Sequence, residues 1–122
     1  MIDVPGQRTP LKAAQAIEFG ALRISSEHDG DVVAICVSGE LDLATAGRLQ
    51  RELERVEASD VRSIILDLSG LMFMDSTGVQ VLLSAHARSR ADSDRLTMLR
   101  GSAAVQRVLQ LTGVADLLPF ID

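Results

Sequence analysis

The first half of the chain alternates between apolar and polar residues and then changes to a helical period. Leu22 and Ile24 alternate with polar neighbours, and His28-Asp29-Gly30-Asp31 supplies a turn signal before the apolar run at residues 32–37. Two such runs around a short polar turn are typical of a β-hairpin. The next apolar positions recur every three or four residues, which predicts an amphipathic helix lying on a sheet: Ala46, Leu49, Leu53 and Val56.

The apolar run at residues 61–68 predicts a buried strand. A helix between two strands implies that the strands are parallel and joined by a crossover. In sheets of this kind, ligand and partner sites collect at the carboxyl ends of the strands. We therefore expect the segment that follows residue 68 to carry the functional site.

The last third of the chain predicts further helices and short strands. A helix is expected from about Thr77 to Arg90, with these residues on its buried side: Val79, Leu82, Leu83 and Ala87, broadened by Val81 and Ala85. A short strand at residues 95–99 follows, and then a helix capped by Ser102 and ended by Gly113. Residues 117–121 can add only an edge strand, because Pro119 lacks the amide proton. The predicted fold class is α/β or α+β, with a mixed sheet of four or five strands and three to four helices.

Residues 1–20 differ from the rest of the chain. Pro5-Gly6 and Pro10 interrupt this stretch, and its apolar rhythm is weak. We interpret residues 1–20 as an N-terminal extension with at most one short helix, and residues 21–122 as a single folded domain.

Composition narrows the classes of function. The net charge is −5, no Arg/Lys cluster is interleaved with aromatic residues, and the chain has no Trp or Tyr, so nucleic acid is not an expected partner. No stretch approaches the roughly 20 apolar residues that span a bilayer, so we expect a cytoplasmic protein that does not insert into membranes. Cys36 lies in an apolar run and is expected to be a small buried residue. His28 and His86 are each isolated in sequence, so no metal site is predicted.

The most informative segment is Met74-Asp75-Ser76-Thr77-Gly78, which follows the predicted strand and opens the predicted helix. Asp75 or Ser76 can cap this helix by accepting hydrogen bonds from backbone amides one turn later. A helix N-terminus carries free donors and partial positive charge, which suit a bound or covalently attached phosphate. A plain N-cap explains the same residues equally well.

Three blocks together carry a family resemblance: Gly39-Glu40-Leu41-Asp42, Met74-Asp75-Ser76-Thr77-Gly78 and Leu111-Thr112-Gly113-Val114. Their order and separation resemble those of a bacterial anti-sigma factor antagonist of the STAS domain family, over roughly residues 21–122. The resemblance implies a mixed sheet with helices mainly on one side.

The resemblance also implies a mechanism. In this family, the Ser directly after the motif Asp is phosphorylated by a partner that is both an anti-sigma factor and a serine kinase; here that position is Ser76. The unphosphorylated antagonist binds the kinase and frees the sigma factor for transcription, whereas the phosphorylated antagonist dissociates until a phosphatase removes the phosphate. ATP and Mg would belong to the kinase, so no cofactor is expected on this chain.

The resemblance places further residues at the partner surface. Asp75 would lie at the kinase contact, with Thr77 as its small neighbour and with Gly78 and Val79 in the first turn of the helix. Glu40 and Asp42 would flank the same surface, although roles as N-cap and turn residues explain them about as well.

The sequence leaves two other classes of function as alternatives. One is a STAS docking or scaffold module of a signalling assembly or lipid-transport complex, which binds without being phosphorylated. The other is an enzyme, which has little support, because the chain lacks a Gly-x-Ser-x-Gly elbow and a Walker loop. A surface Ser without a neighbouring base is a substrate sooner than a nucleophile.

Overall fold

A computed structural model describes residues 21–121, and the predicted extension at residues 1–20 lies outside the described residues. The described part forms a five-stranded sheet with three helices. In chain order the elements are β1 (Leu22–Asp29), β2 (Val32–Leu41), α1 (Ala46–Glu57), β3 (Ser63–Met74), α2 (Ser76–Ala91), β4 (Leu96–Leu99), α3 (Ala103–Leu111) and β5 (Phe120–Ile121). No helix within residues 21–121 is long and apolar enough to cross a membrane.

The strands lie side by side in their sequence order. β1 is antiparallel to β2, so the predicted hairpin is confirmed, with a turn at Gly30 and Asp31 only. The β2–β3, β3–β4 and β4–β5 pairs are all parallel, with a helix inside each connection. The predicted mixed sheet is therefore confirmed, and β5 is the short edge strand that Pro119 allows.

All three helices share one hydrophobic core with one face of the sheet. In β2 the buried positions are Val33, Ile35 and Val37. They join core residues contributed by each helix: Leu49 and Leu53, Leu82 and Ala85, Val105 and Leu109. Cys36 falls on the opposite face because strand side chains alternate. It is half-buried there, so the expectation of a buried Cys36 is wrong.

The buried side of α2 is only partly the predicted one; the predicted residues that are buried are Val79, Val81, Leu82 and Ala85. Ala87 is exposed and Leu83 is only partly buried, whereas Ser89 is buried. The Ser89 hydroxyl accepts a hydrogen bond from the Leu96 amide at 2.9 Å, which satisfies its polar group within the core. The prediction was made from apolar positions alone. Such a pattern cannot show that a Ser with a hydrogen-bond partner lies on the buried side.

β3 is longer than the predicted strand at residues 61–68. It continues through Ser69 and Gly70 to Met74, although these two residues resemble a turn. Gly70 is needed here, because a Cβ atom would lie 2.8 Å from the Cβ of Ser38 on β2. The register shifts twice along this pair, and the second shift leaves Met72 without a partner residue in β2. Such bulges redirect side chains at the end of a strand.

A polar contact fastens α1 to the edge of the sheet. The Glu52 carboxylate accepts hydrogen bonds from the Arg55 guanidinium on the same helix and from the Ser26 hydroxyl on β1. The hydrogen bonds from Arg55, followed by that from Ser26, lower the pKa of Glu52 to about 2, against the opposing effect of partial burial.

Candidate functional site

Two chain segments meet at the carboxyl end of the sheet. Leu41 of β2 pairs with Met74 of β3, and the Asp75 amide donates to the Leu41 carbonyl at 3.2 Å. The loop between β2 and α1 therefore lies against the junction of β3 and α2. This places Asp42 and Asp75 in neighbouring segments, as expected for parallel strands.

Asp75 is the N-cap of α2. Its backbone is extended, and its Oδ1 atom accepts hydrogen bonds from the amides of Thr77 at 2.9 Å and Gly78 at 3.2 Å. Its Oδ2 atom accepts from the Leu43 amide at 3.2 Å. Of the two residues that the sequence allowed as caps, Asp75 has this role, and both of its carboxylate oxygens are used within the chain.

Ser76 is the first residue of α2, and its side chain is exposed. Because Asp75 already serves the first amides of the helix, the Ser76 hydroxyl is not needed as a cap. Thr77 is half-buried. A phosphate on Ser76 would therefore lie in solvent beside the positive end of a helix, where a negative charge is favoured.

The β2–α1 loop is held by Thr45 and Asp42. The Thr45 hydroxyl donates to the Glu40 carbonyl at 2.8 Å and accepts from the Asp42 amide at 3.0 Å, and Thr45 is only 6% exposed. The Asp42 carboxylate accepts from the amides of Ala44 and Thr45. Asp42 is thus a turn residue, and the N-cap position of α1 belongs to Thr45. The half-buried Glu40 lies at the end of β2 beside them.

Gly78 and Val79 lie beneath the surface rather than on it. Both are buried, and a Cβ atom on Gly78 would lie 2.6 Å from Met74 Cγ and 2.9 Å from Leu41 Cγ. Their burial argues against direct contact with a partner. Their role in the site is to let α2 begin close to the ends of β2 and β3.

The sequence interpretation missed three exposed apolar side chains in the two segments that meet at Asp75. Leu43 is 79% exposed, Met72 74% and Phe73 49%, although large apolar side chains are normally covered. We call Leu43, Met72, Phe73 and Ser76 the docking surface. Exposed apolar clusters of this kind mark interaction sites. The pair Met72-Phe73 between turn-like residues and Asp75 was the available sequence signal, but its exposure depends on the bulge in β3.

The site is open and carries one exposed hydroxyl. Within residues 21–121, no group of three or more His, Cys, Asp or Glu side chains is placed to hold a metal ion. An exposed Ser at a helix start, with exposed apolar residues in the adjoining segments, is an arrangement typical of protein-docking surfaces. The chain belongs to the STAS domain family, whose pattern matches residues 23–122.

Named relatives of this chain are antagonists of anti-sigma factors. The anti-sigma F factor antagonist of Paenibacillus polymyxa is 28% identical over 102 residues, which are 83% of this chain and 87% of that protein. The anti-sigma-B factor antagonist of Listeria monocytogenes is 30% identical over 92 residues, 75% of this chain and 81% of that protein.

Solved structures show the same fold. An anti-sigma factor antagonist from Mycobacterium paratuberculosis has a TM-score of 0.73 at 25% identity, covering 83% of this chain and 86% of that chain. Unphosphorylated SpoIIAA has a TM-score of 0.69 at 26% identity, covering 82% of this chain and 87% of that chain. Phosphorylated SpoIIAA from Bacillus has a TM-score of 0.63 at 25% identity, covering 82% of this chain and 90% of that chain. The predicted family and fold are thus confirmed.

Proposed function

We propose that this chain is a cytoplasmic anti-sigma factor antagonist that works by partner switching. In its unphosphorylated form it binds an anti-sigma factor that is also a serine kinase, and the sigma factor is released for transcription. The kinase uses its own ATP and Mg to phosphorylate Ser76, and the antagonist then dissociates until a phosphatase removes the phosphate. The names of the relatives, and the two forms of SpoIIAA, support this proposal.

The observation that carries the proposal is the separation of roles between Asp75 and Ser76. Asp75 caps the helix, while Ser76 presents a hydroxyl to solvent in the first turn. A kinase can modify such a hydroxyl without breaking any bond that holds α2. The domain therefore keeps its fold in both states, as a switch requires.

The phosphate changes the partner contact by charge. It adds about −1.5 to −2 charges and three acceptor oxygens. Asp75 is adjacent, and Asp42 lies in the neighbouring loop, so a partner that closes over Ser76 must bury a phosphate beside existing carboxylates. A hundredfold loss of affinity requires only about 2.8 kcal/mol, which repulsion and desolvation at a contact can supply.

The apolar part of the docking surface supports a protein partner. Leu43, Met72 and Phe73 expose large side chains in the two segments that meet at Asp75, the residue directly before Ser76. Burying apolar surface is the dominant favourable term in most protein–protein association. A small-molecule substrate would need a concave pocket at this position instead.

The test begins with purification of the chain from its own host, with and without ATP. A bound kinase that is lost after ATP addition is the expected result. Peptide mapping should then place the phosphate on Ser76 alone. The matched control is Ser84→Ala, because Ser84 is also exposed on α2 but lies two turns away; this variant should still be phosphorylated. Phosphate on Thr77, Ser69 or Ser84 would contradict the assignment.

The second candidate function is constitutive docking in a signalling or lipid-transport assembly. It is favoured by the apolar surface alone, which needs no phosphate in order to bind. Calorimetric titration of the kinase separates the two functions, using wild type, Ser76→Ala, Ser76→Asp and the phosphorylated protein. Switching predicts tight binding by the first two and weak binding by the last two. Equal affinities for all four would favour constitutive docking.

A further inference from the structure

The Asp75 carboxylate forms two separate sets of hydrogen bonds. Oδ1 accepts from the Thr77 and Gly78 amides, which is ordinary N-capping of α2. Oδ2 instead accepts from the Leu43 amide at 3.2 Å, across 32 positions of sequence. Capping requires only one oxygen, so the second bond needs another explanation.

Among residues 21–121, that second bond holds the most exposed of the large apolar residues. Leu43 is 79% exposed, and the next residue, Ala44, is exposed as well. Their side chains therefore contribute little packing that would hold this part of the loop. Asp42 and Thr45 secure the loop toward α1, whereas the bond from Asp75 secures it toward β3 and Ser76.

We propose that Asp75 is a positioning residue for docking: its Oδ2 atom fixes Leu43 beside Ser76, where an apolar pocket of the kinase receives the Leu43 side chain. This inference rests on the proposed function. In this proposal Asp75 affects kinase binding through Leu43. If Asp75 contacted the kinase directly instead, the contribution of Leu43 to binding would not depend on Asp75. Leu43 is fastened to Asp75, the residue directly before the proposed phosphorylation site, so a kinase that reaches Ser76 also reaches Leu43.

The variant Asp75→Asn separates capping from positioning. Asn keeps only one acceptor oxygen. We expect this oxygen to face α2, where it accepts from two amides, because facing Leu43 it would accept from only one. The amide group of Asn then turns a donor toward the Leu43 amide and removes that bond, while capping persists because Asn is a good N-cap. Asp75→Ser is the second variant, since Ser caps well and has no second oxygen.

The first measurement is amide hydrogen exchange by NMR on the free protein. We expect exchange at Leu43 to rise by about tenfold in both variants, which corresponds to about 1.4 kcal/mol, while exchange at Thr77 and Gly78 stays within about twofold. The matched control is Asp67→Asn. In wild type, the Asp67 carboxylate accepts a hydrogen bond from the Ser69 amide at 2.9 Å, earlier in β3. It should leave Leu43 unchanged. Unchanged exchange at Leu43 in both Asp75 variants would overturn the inference.

The second measurement is a double-mutant cycle with Leu43→Ala, titrating the kinase recovered with the wild-type chain. We expect each single variant to weaken binding about tenfold or more, and the double variant to bind no more than about threefold weaker than Leu43→Ala alone. If the affinity loss of the double variant equals the product of the two single losses, Asp75 acts independently of Leu43. That result would overturn the positioning role. If wild type binds no kinase, the proposed function fails, and the docking role fails with it even when exchange at Leu43 responds.

Discussion

Replacement of Gly78 by Ala tests how closely α2 approaches the ends of β2 and β3. An added Cβ atom would lie 2.6 Å from Met74 Cγ and 2.9 Å from Leu41 Cγ. Carbon atoms pack favourably at about 3.5–4.0 Å, so the nearest contact is about 1 Å too short. Met74 and Leu41 are fully buried and cannot turn into solvent. The helix start, both side chains or the strand ends must therefore shift.

The net cost follows from two opposing effects. Overpacking of a filled core costs about 1–3 kcal/mol, and the number of short contacts here favours the upper end of that range. Ala is a better helix former than Gly by about 1 kcal/mol. We expect Gly78→Ala to lower the free energy of unfolding by about 2 kcal/mol, and the melting temperature by roughly 10 °C.

The chain contains a matched control for this substitution. Gly47 occupies the second position of α1, is exposed, and an added Cβ atom there would approach only the flexible end of Arg51, at 3.3 Å. Gly47→Ala should raise stability by about 0.5–1 kcal/mol through helix propensity alone. Both variants are compared with wild type by urea unfolding and by thermal melts. If Gly78→Ala is as stable as Gly47→Ala, the close packing beneath Ser76 is refuted.

Three further predictions concern stability. Ser76→Ala should change the free energy of unfolding by less than about 1 kcal/mol in urea unfolding, because Asp75 is the cap; a loss of several kcal/mol would contradict the exposed-hydroxyl assignment. Thr45→Val should lower it by about 2 kcal/mol, because a backbone amide and a carbonyl lose their partner, and an unchanged unfolding midpoint would refute this role. Folding lowers the pKa of Glu52 from 4.5 to about 2. Wild type should therefore have a higher free energy of unfolding than Glu52→Gln above pH 4.5, and this difference should be lost as the pH falls toward about 2. A difference that stays constant over this range would count against the contact.

Local pattern determined much of the fold. Three local signals lie within a few residues of the features that they specify: the strand alternation in β1 and β2, the three- and four-residue period of α1, and the N-cap Ser102 with the positive-φ Gly113 just beyond the end of α3. The position of Ser76 at the start of α2 follows from the same local chemistry. These predictions succeeded because hydrophobic period and capping depend on neighbours one or two turns away.

The tertiary structure decided which residues form the surface around that hydroxyl. The bulge that exposes Met72 depends on the register of β3 against β2, and the burial of Ser89 depends on the Leu96 amide of another strand. The role of Asp75 depends on Leu43, which lies 32 positions earlier in the chain. Strand register and loop contact join residues that are distant in sequence, and a local pattern contains no information about such pairs. The sequence alone therefore specified the phosphorylation candidate, whereas only the packed sheet brought the Leu43 loop against Asp75 and left Met72 exposed.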